Sequence, residues 1–299
     1  MSNQKNKAIH DAIIKKHKKI QMIEDNEELI EDWMFVFKDE LGNPLEISRA
    51  FYLGIYYEVK DILTFDEFCV EFTLLEKLQT LDISLTEKVT SIPKEIGNMY
   101  NLKQFCLTDC KSNFEMPDEF YKLTNLTGLA ISESEGIIVD LQKICTNMIN
   151  LEYLILETIG FKGEIPKEIG NLTKLYELSL CDNNYMKGKI PDEILKLTNL
   201  NELNLSDSNL EGDNFLEKLC ESNLDKIHTL ILTNSGLTGI IPKNINKFKM
   251  KFLWIDNNEL TGEIPITLSE VCKYKDIRIS NNKFLGKIPQ KVLKFIEDI

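Results

Sequence analysis

The chain has 299 residues and a net charge of -13, with 35 Lys and Arg against 48 Asp and Glu. A surface this acidic repels a polyanion, which excludes nucleic acid as the partner of the protein body. No stretch approaches the roughly 20 apolar residues that cross a bilayer, and the opening MSNQKNKAIHDAIIKKHKKI carries lysines but no apolar core, so no signal peptide is read there.

Residues 1–32 form a charged helical segment. Ala8, Ile9, Ile13, Ile20 and Ile23 make a loose helical stripe, with Lys15, Lys16, Lys18 and Lys19 beside it. An acidic run follows from Glu24 to Asp32. The lysines suit an anionic membrane surface or an acidic complex, but a solvated helix pairing with the acidic run is the favoured reading, and membrane association is disfavoured.

Residues 33–77 are expected to cap the structure that follows. Two aromatic, β-prone stretches flank the turn cluster Gly42, Asn43 and Pro44. FDEFCVEFTLLEKL, residues 65–78, then reads as an amphipathic helix, so the cap is expected to be mainly helical.

From residue 78 to 299 the sequence repeats. Seven of the eight prolines, Pro93, Pro117, Pro166, Pro191, Pro242, Pro265 and Pro289, are separated by 24, 49, 25, 51, 23 and 24 residues, the double gaps being one skipped beat each. About nine units with a spacing of about 24 residues imply stacked coils sharing one continuous core. In the unit MKFLWIDNNELTGEIPITLSEVCK, residues 250–273, alternation turns Leu253 and Ile255 inward and Phe252, Trp254 and Asp256 outward. Asn183, Asn258 and Asn282 share one position, where a buried amide is expected to bond the backbone of neighbouring turns as a ladder. Thr86, Cys110, Ser134, Ser208 and Ser235 replace it elsewhere, and Ile159 is expected to interrupt it. Gly163, Gly188, Gly239, Gly262 and Gly286 mark a bend where a side chain would crowd the stack.

The pattern LxxLxLxxNxLxGxIPxxI resembles the plant-specific subclass of leucine-rich repeats, which includes polygalacturonase-inhibiting proteins and receptor-kinase ectodomains. The resemblance covers residues 78 to 299. It implies an α/β fold: a right-handed solenoid with a parallel β-sheet on its concave face and short helical or 3-10 segments on the convex side. It also implies recognition of a protein or peptide by the concave face. The family's secretion signal and paired cap cysteines are absent from the pattern here, so the extracellular setting is not carried over.

The seven cysteines show no metal-ligand spacing beyond CxxxC at Cys106 and Cys110, which lacks a second pair or nearby histidine. Cys110 fills the asparagine position, and Cys145, Cys220 and Cys272 fall on convex segments as small core residues. Structural thiols imply a reducing compartment, and the expectation is cytoplasmic. The sequons at Asn125, Asn171 and Asn204 are then unused.

Outward strand positions make two columns. One reads Asp82, Cys106, Ala130, Ile155, Ser179, Asn204, Ile231, Trp254 and Arg278; the other reads Thr80, Gln104, Gly128, Tyr153, Glu177, Glu202, Thr229, Phe252 and Asp276. Most entries in both are small or polar. Ile231, Phe252, Trp254 and Arg278, with His228 nearby, cluster as an aromatic and arginine patch of the kind that anchors partners. Tyr153, Ile155 and Tyr176 form a second group. Glu177, Glu202, Asp182 and Asp207 lie between the two, with Glu157 and Glu133 further along, suggesting a basic or amide-rich partner.

No phosphate loop, HExxH, GxSxG or kinase signature occurs, and three scattered histidines build no metal site. The reading is a monomeric, non-catalytic protein- or peptide-binding module without cofactor or metal, acting as adaptor, scaffold or regulatory subunit. The alternatives are a protein localised by its basic N-terminal helix, or an effector secreted without a leader.

Overall fold

The computed structural model describes residues 54–55, 79–84, 90–272 and 276–297. The charged segment at 1–32, nearly all of the cap at 33–77 and the ladder position Thr86 lie outside them. The chain divides into two units, Met1–Val139 and Asp140–Ile299.

The first unit carries β1 (Gly54–Ile55), β2 (Thr80–Ser84), β3 (Gln104–Thr108), β4 (Phe114–Glu115), β5 (Gly128–Ser132) and β6 (Ile137–Ile138). β1, β2, β3 and β5 pair in parallel in that order, and β4 pairs with β6. β1 shows that the stretch before residue 78 already contributes a strand in parallel register, with Gly54 opposite Asp82. The second unit carries α1 (Leu141–Asn147), β7 (Tyr153–Glu157), β8 (Glu177–Ser179), β9 (Glu202–Asn204), α2 (Phe215–Glu221), β10 (Thr229–Ile231), β11 (Phe252–Trp254) and β12 (Ile277–Arg278). Strands β7 to β12 pair in parallel in chain order.

Alternation decides which residues enter the core. Phe105 and Leu107 in β3, Leu154 and Leu156 in β7, and Leu253 with the following Ile255 are all buried, each worth about 1.5–3 kcal/mol of transfer from water. The core of each coil lies between its strand and the connector behind it. Those connectors start alike. The carbonyl of every repeat proline accepts the amide three residues on, from Ile96 to Pro93 through Val292 to Pro289, at 2.8–3.1 Å. Proline suits the first position of a helical turn, where its missing N–H has no partner to lose and its φ is already set. These prolines initiate the 3-10 turns expected on the convex side, which bury Ile96, Ile169, Ile194, Ile245 and Leu268.

The skipped beats have a structural counterpart. α1 falls in the gap between Pro117 and Pro166, and α2 in the gap between Pro191 and Pro242. Where proline is missing, a short α-helix takes over the convex side. Asp140 caps α1 by accepting from the Lys143 amide at 2.9 Å. Cys145 and Cys220 are buried on these helices.

Behind the strands runs the expected ladder. Asn183 Nδ2 donates to the carbonyls of Leu156, Leu180 and Cys181, while its Oδ1 accepts from the amides of Ile159 and Phe161. Asn258 repeats the pattern with Leu232, Ile255 and Asp256 as acceptors and Ser235 and Leu237 as donors. Ser134 Oγ accepts from the Cys110 amide at 2.9 Å. Ile159, buried and apolar, contributes only its main-chain N–H.

One regularity escaped the sequence reading. The residue just before each described ladder position has a positive φ: Asp109, Glu133, Thr158, Asp182, Asp207, Asn234, Asn257 and Asn281, between 49° and 56°. Asn and Asp tolerate this left-handed region, which explains their prevalence; Thr158 is the β-branched exception. Two expectations need correction. Asp256 is not outward: it is buried and accepts from Thr233 Oγ1 at 2.8 Å. Gly163 and Gly286 have open space where a Cβ would stand, with nothing nearer than Phe161 and Glu263, each at 4.0 Å. Their φ values of 129° and 78°, rather than crowding, demand glycine.

Candidate functional site

Register puts the predicted columns in place across β7 to β12. Ile155, Ser179, Asn204, Ile231, Trp254 and Arg278 are successive partners, as are Tyr153, Glu177, Glu202, Thr229 and Phe252. The neighbours in each column are therefore one strand spacing apart, about 4.8 Å, close enough for side chains to stack along the sheet.

At the C-terminal end, Phe252 and Trp254 meet edge to face with ring centroids 5.6 Å apart. Arg278 lays its guanidinium over the Trp254 ring at 3.8 Å, and Lys251 Nζ stands 4.9 Å from the centre of Phe252. Such stacking of a cation on an aromatic face is worth about 0.5–2 kcal/mol. Trp254, Phe252, Ile231 and Arg278 are half-buried rather than fully exposed, because each shields the next. The indole Nε1 of Trp254 is buried without a hydrogen-bond partner. His228 is exposed but engaged elsewhere: its Nδ1 lies 2.6 Å from the Lys226 carbonyl and 3.0 Å from Asn201 Nδ2. Its main chain serves the patch instead, the carbonyl accepting from the amides of Lys251 and Phe252.

Sequence reasoning missed the group that fixes Arg278. Glu297 Oε2 accepts from Arg278 Nε at 2.8 Å. Residues 295–297 lie along β12, with Ile296 bridged to Ile277 and the Glu297 amide donating to the Ile277 carbonyl at 2.9 Å. Glu297 therefore continues the Trp254–Arg278 column. In the preceding unit, strand residue Ile277 comes twelve residues after Pro265; Ile296 comes only seven after Pro289. That shortened connector broke the repeat frame and hid the strand position.

The second group sits on β7 to β9. Tyr153 and Tyr176 meet edge to face at 6.4 Å, and Tyr176 is 43% exposed. Glu177 and Glu202 are direct partners on adjacent strands. Burial raises the Glu177 carboxyl above its ordinary range, and the charges of Glu202 and Glu157 raise it further. Partial burial, then Glu177, Glu152 and Glu202, likewise push the Tyr176 hydroxyl up. Glu157 accepts a short hydrogen bond from Ser179 Oγ. Asp182 and Asp207 are at left-handed turn positions past the strand ends, and Asn234 Nδ2 donates to Asp207 at 3.0 Å. The acidic strip therefore reduces to Glu177, Glu202 and Glu157. Glu133 belongs to the other unit.

Cys181 is the thiol next to this face, its Sγ 3.7 Å from Ser179 Oγ. Burial pushes Cys145, Cys181, Cys220 and Cys272 up to about 12. Among the described residues no three His, Cys, Asp or Glu side chains converge to hold a metal, and no helix is long and apolar enough to cross a membrane.

Comparison with known proteins agrees with this geometry. Receptor-like protein 35 of Arabidopsis thaliana is 30% identical over 162 residues, covering 53% of this chain and 17% of that protein. The solved plant peptide hormone receptor RGFR1, in complex with RGF2, superposes with a TM-score of 0.62 at 25% identity, over 75% of this chain and 39% of the receptor. The leucine-rich repeat ectodomain of the Arabidopsis receptor kinase HAESA, with an IDA peptide hormone, gives 0.62 at 25% identity over 74% of this chain and 37% of that one. The chain thus spans well under half the length of these relatives. The model of a leucine-rich repeat region matches residues 93–260, more than half of the chain, and with the plant-type IP motif in its coils the protein belongs to the leucine-rich repeat family.

Proposed function

We propose that the chain is a non-catalytic recognition module that binds an extended protein or peptide segment on the outward face of β7 to β12, serving as an adaptor, scaffold or regulatory subunit and working as a monomer. The observation that carries this reading is the register: it sets Tyr153, Glu177 and Glu202 on the same face as Ile231, Phe252, Trp254 and Arg278, and Tyr176 joins them through its ring contact with Tyr153. Aromatic and arginine anchors grouped on one sheet face are what interfaces use. The solved relatives that hold peptide hormones support the choice of a peptide over a small molecule. The same relatives, receptor ectodomains among them, lend no support to a cytoplasmic setting. Within this proposal that setting rests on Cys145, Cys181, Cys220 and Cys272, four buried thiols without disulfides.

The test compares wild type with a Phe252→Ala, Trp254→Ala double variant as baits in lysate of the source cells. Circular dichroism checks that the variant is folded. A partner held by wild type and released by the variant supports recognition at this face. A partner held equally by both refutes it.

A further inference from the structure

The Trp254 indole is covered by a group that cannot satisfy it. Its Nε1 is buried with no hydrogen-bond partner, and the Arg278 guanidinium lies 3.8 Å over its ring. An indole N–H only donates and a guanidinium only donates, so the two stack but cannot bond. Phe252, edge to face with the same ring at 5.6 Å, brings no oxygen or nitrogen. A buried donor without a partner carries a desolvation cost, which ends once water reaches it. The closed arrangement therefore holds a standing cost on the face proposed for recognition.

Glu297 keeps Arg278 in place, and its hold is weak. Its Oε2 accepts from Arg278 Nε at 2.8 Å, but the arginine and glutamate side chains are 36% and 48% exposed, so water and salt screen the pair. Both side chains stand on fixed backbone. The Glu297 amide donates to the Ile277 carbonyl at 2.9 Å, the Ile277 amide donates to the Phe295 carbonyl at 3.2 Å, and Val292 and Ile296 are buried. Arg278 is in register with Trp254 on the adjacent strand. Uncovering the indole therefore needs two side chains to move and no strand. Stacking of the cation on the ring favours the closed state; the orphan donor and the hydration of the separated charges favour the open one.

We infer that Arg278 is a latch over the Trp254 indole, held shut by Glu297, and that it swings off the ring with the backbone unchanged. Closed, the face presents a guanidinium paired with its carboxylate. Open, it presents an indole ring with an N–H ready to donate. That a partner segment gains Trp254 only by displacing Arg278 rests on the recognition reading above, and it makes Glu297 a brake on binding rather than a contact. The latch itself is tested without a partner, so its failure and the failure of that reading are distinguishable.

The chain has two tryptophans, Trp33 and Trp254, so the reference is the full chain with Trp33→Phe, excited at the red edge of the indole band so that Trp254 alone emits. The probe is acrylamide, a neutral quencher that must touch the ring. Three substitutions are compared in that background: Glu297→Ala, Arg278→Ala, and Lys291→Gln, which breaks the ion pair with Glu270 elsewhere in the terminal coil. Circular dichroism checks that each keeps its fold. The Stern–Volmer constant should rise about two- to fivefold in Glu297→Ala, the range an exposed ion pair can shift. It should rise at least as far in Arg278→Ala and stay at the reference value in Lys291→Gln. Salt at roughly 1 M, where the screening length is about 3 Å, should raise the reference toward the Glu297→Ala value and leave that variant unchanged. This salt arm needs no change in the latch, so it decides the matter even where a variant misfolds. Unaltered quenching in Arg278→Ala would mean that other groups cover Trp254, and unaltered quenching in Glu297→Ala that stacking alone holds the guanidinium. An equal rise in Lys291→Gln would show general loosening of the coil. Each of these, like a reference indifferent to salt, overturns the latch.

Discussion

Replacing Asn258 with Ala tests the ladder most directly. The side chain is buried and makes five hydrogen bonds, three donated to carbonyls and two accepted from amides. Two of the carbonyls keep another donor: Ile255 O is also reached by Asn282 Nδ2, and Asp256 O by the Asn234 amide. The other three groups, Leu232 O and the amides of Ser235 and Leu237, lose the partner that Asn258 supplies. A buried backbone group left unsatisfied costs about 1–3 kcal/mol, so three sum to about 3–9 kcal/mol, and water entering the space left by the amide brings the expected loss to about 3–6 kcal/mol. Ser235→Ala is the internal reference. Its hydroxyl donates to Leu205 O and Thr233 O, and Leu205 O still accepts from Ser208, so the loss should be about 1 kcal/mol. Urea melts followed by circular dichroism measure both. If Asn258→Ala costs no more than Ser235→Ala, the amide is not what joins consecutive coils, and the energetic account of the repeat is wrong.

Thr158 holds a φ of 52° with a β-branched side chain, so Thr158→Asn should raise stability by about 1 kcal/mol, and a loss in the same urea melts would refute the strain. Gly239→Ala should destabilise by about 2 kcal/mol or more, because φ is 92° and a Cβ would stand 2.6 Å from Glu217 Oε1 and 2.7 Å from Asn214 Oδ1; Gly163→Ala, with open space, should cost less, and equal costs would contradict the packing. The buried thiols bear on alkaline stability. Burial holds their folded pKa at about 12, above the ordinary thiol value of 9.0, so the folded state keeps its protons longer, and stability falls as pH rises above about 9. Between pH 8 and 10 each such thiol contributes a loss of about 1.4 kcal/mol, so Cys145→Ala should lose less stability than wild type over that interval; identical losses would sink the argument.

Much of the site was legible before any fold was known. Strand side chains alternate strictly, so naming Leu253 and Ile255 as inward put Phe252 and Trp254 on the other face, and the constant repeat put Ile231 and Arg278 beside them. Asp256 failed because alternation ends with the strand at Trp254, and the turn that follows folds its carboxylate back against Thr233 and Asn257. His228 failed for a different reason. Its column neighbours are set by backbone pairing, but its ring direction is set by Asn201 and Lys226, whose side chains no spacing rule orients.

The sequence alone determined the coil: its length, its inward leucines, its amide position and its proline, because each answers to a local requirement repeated along the chain. Even the skipped prolines were visible, although not that α1 and α2 would replace them. Only the tertiary structure decided how half-buried Trp254 is, that Arg278 lies on it, and that Glu297 reaches back to hold that arginine. It likewise decided that Glu177 and Glu202 face each other on adjacent strands. Those facts depend on distances between side chains on different coils and on a terminal connector five residues shorter than the one before it, from Pro289 to Ile296 against Pro265 to Ile277. A periodic pattern predicts which residues share a column; it carries no information about where the column's charges find their partners.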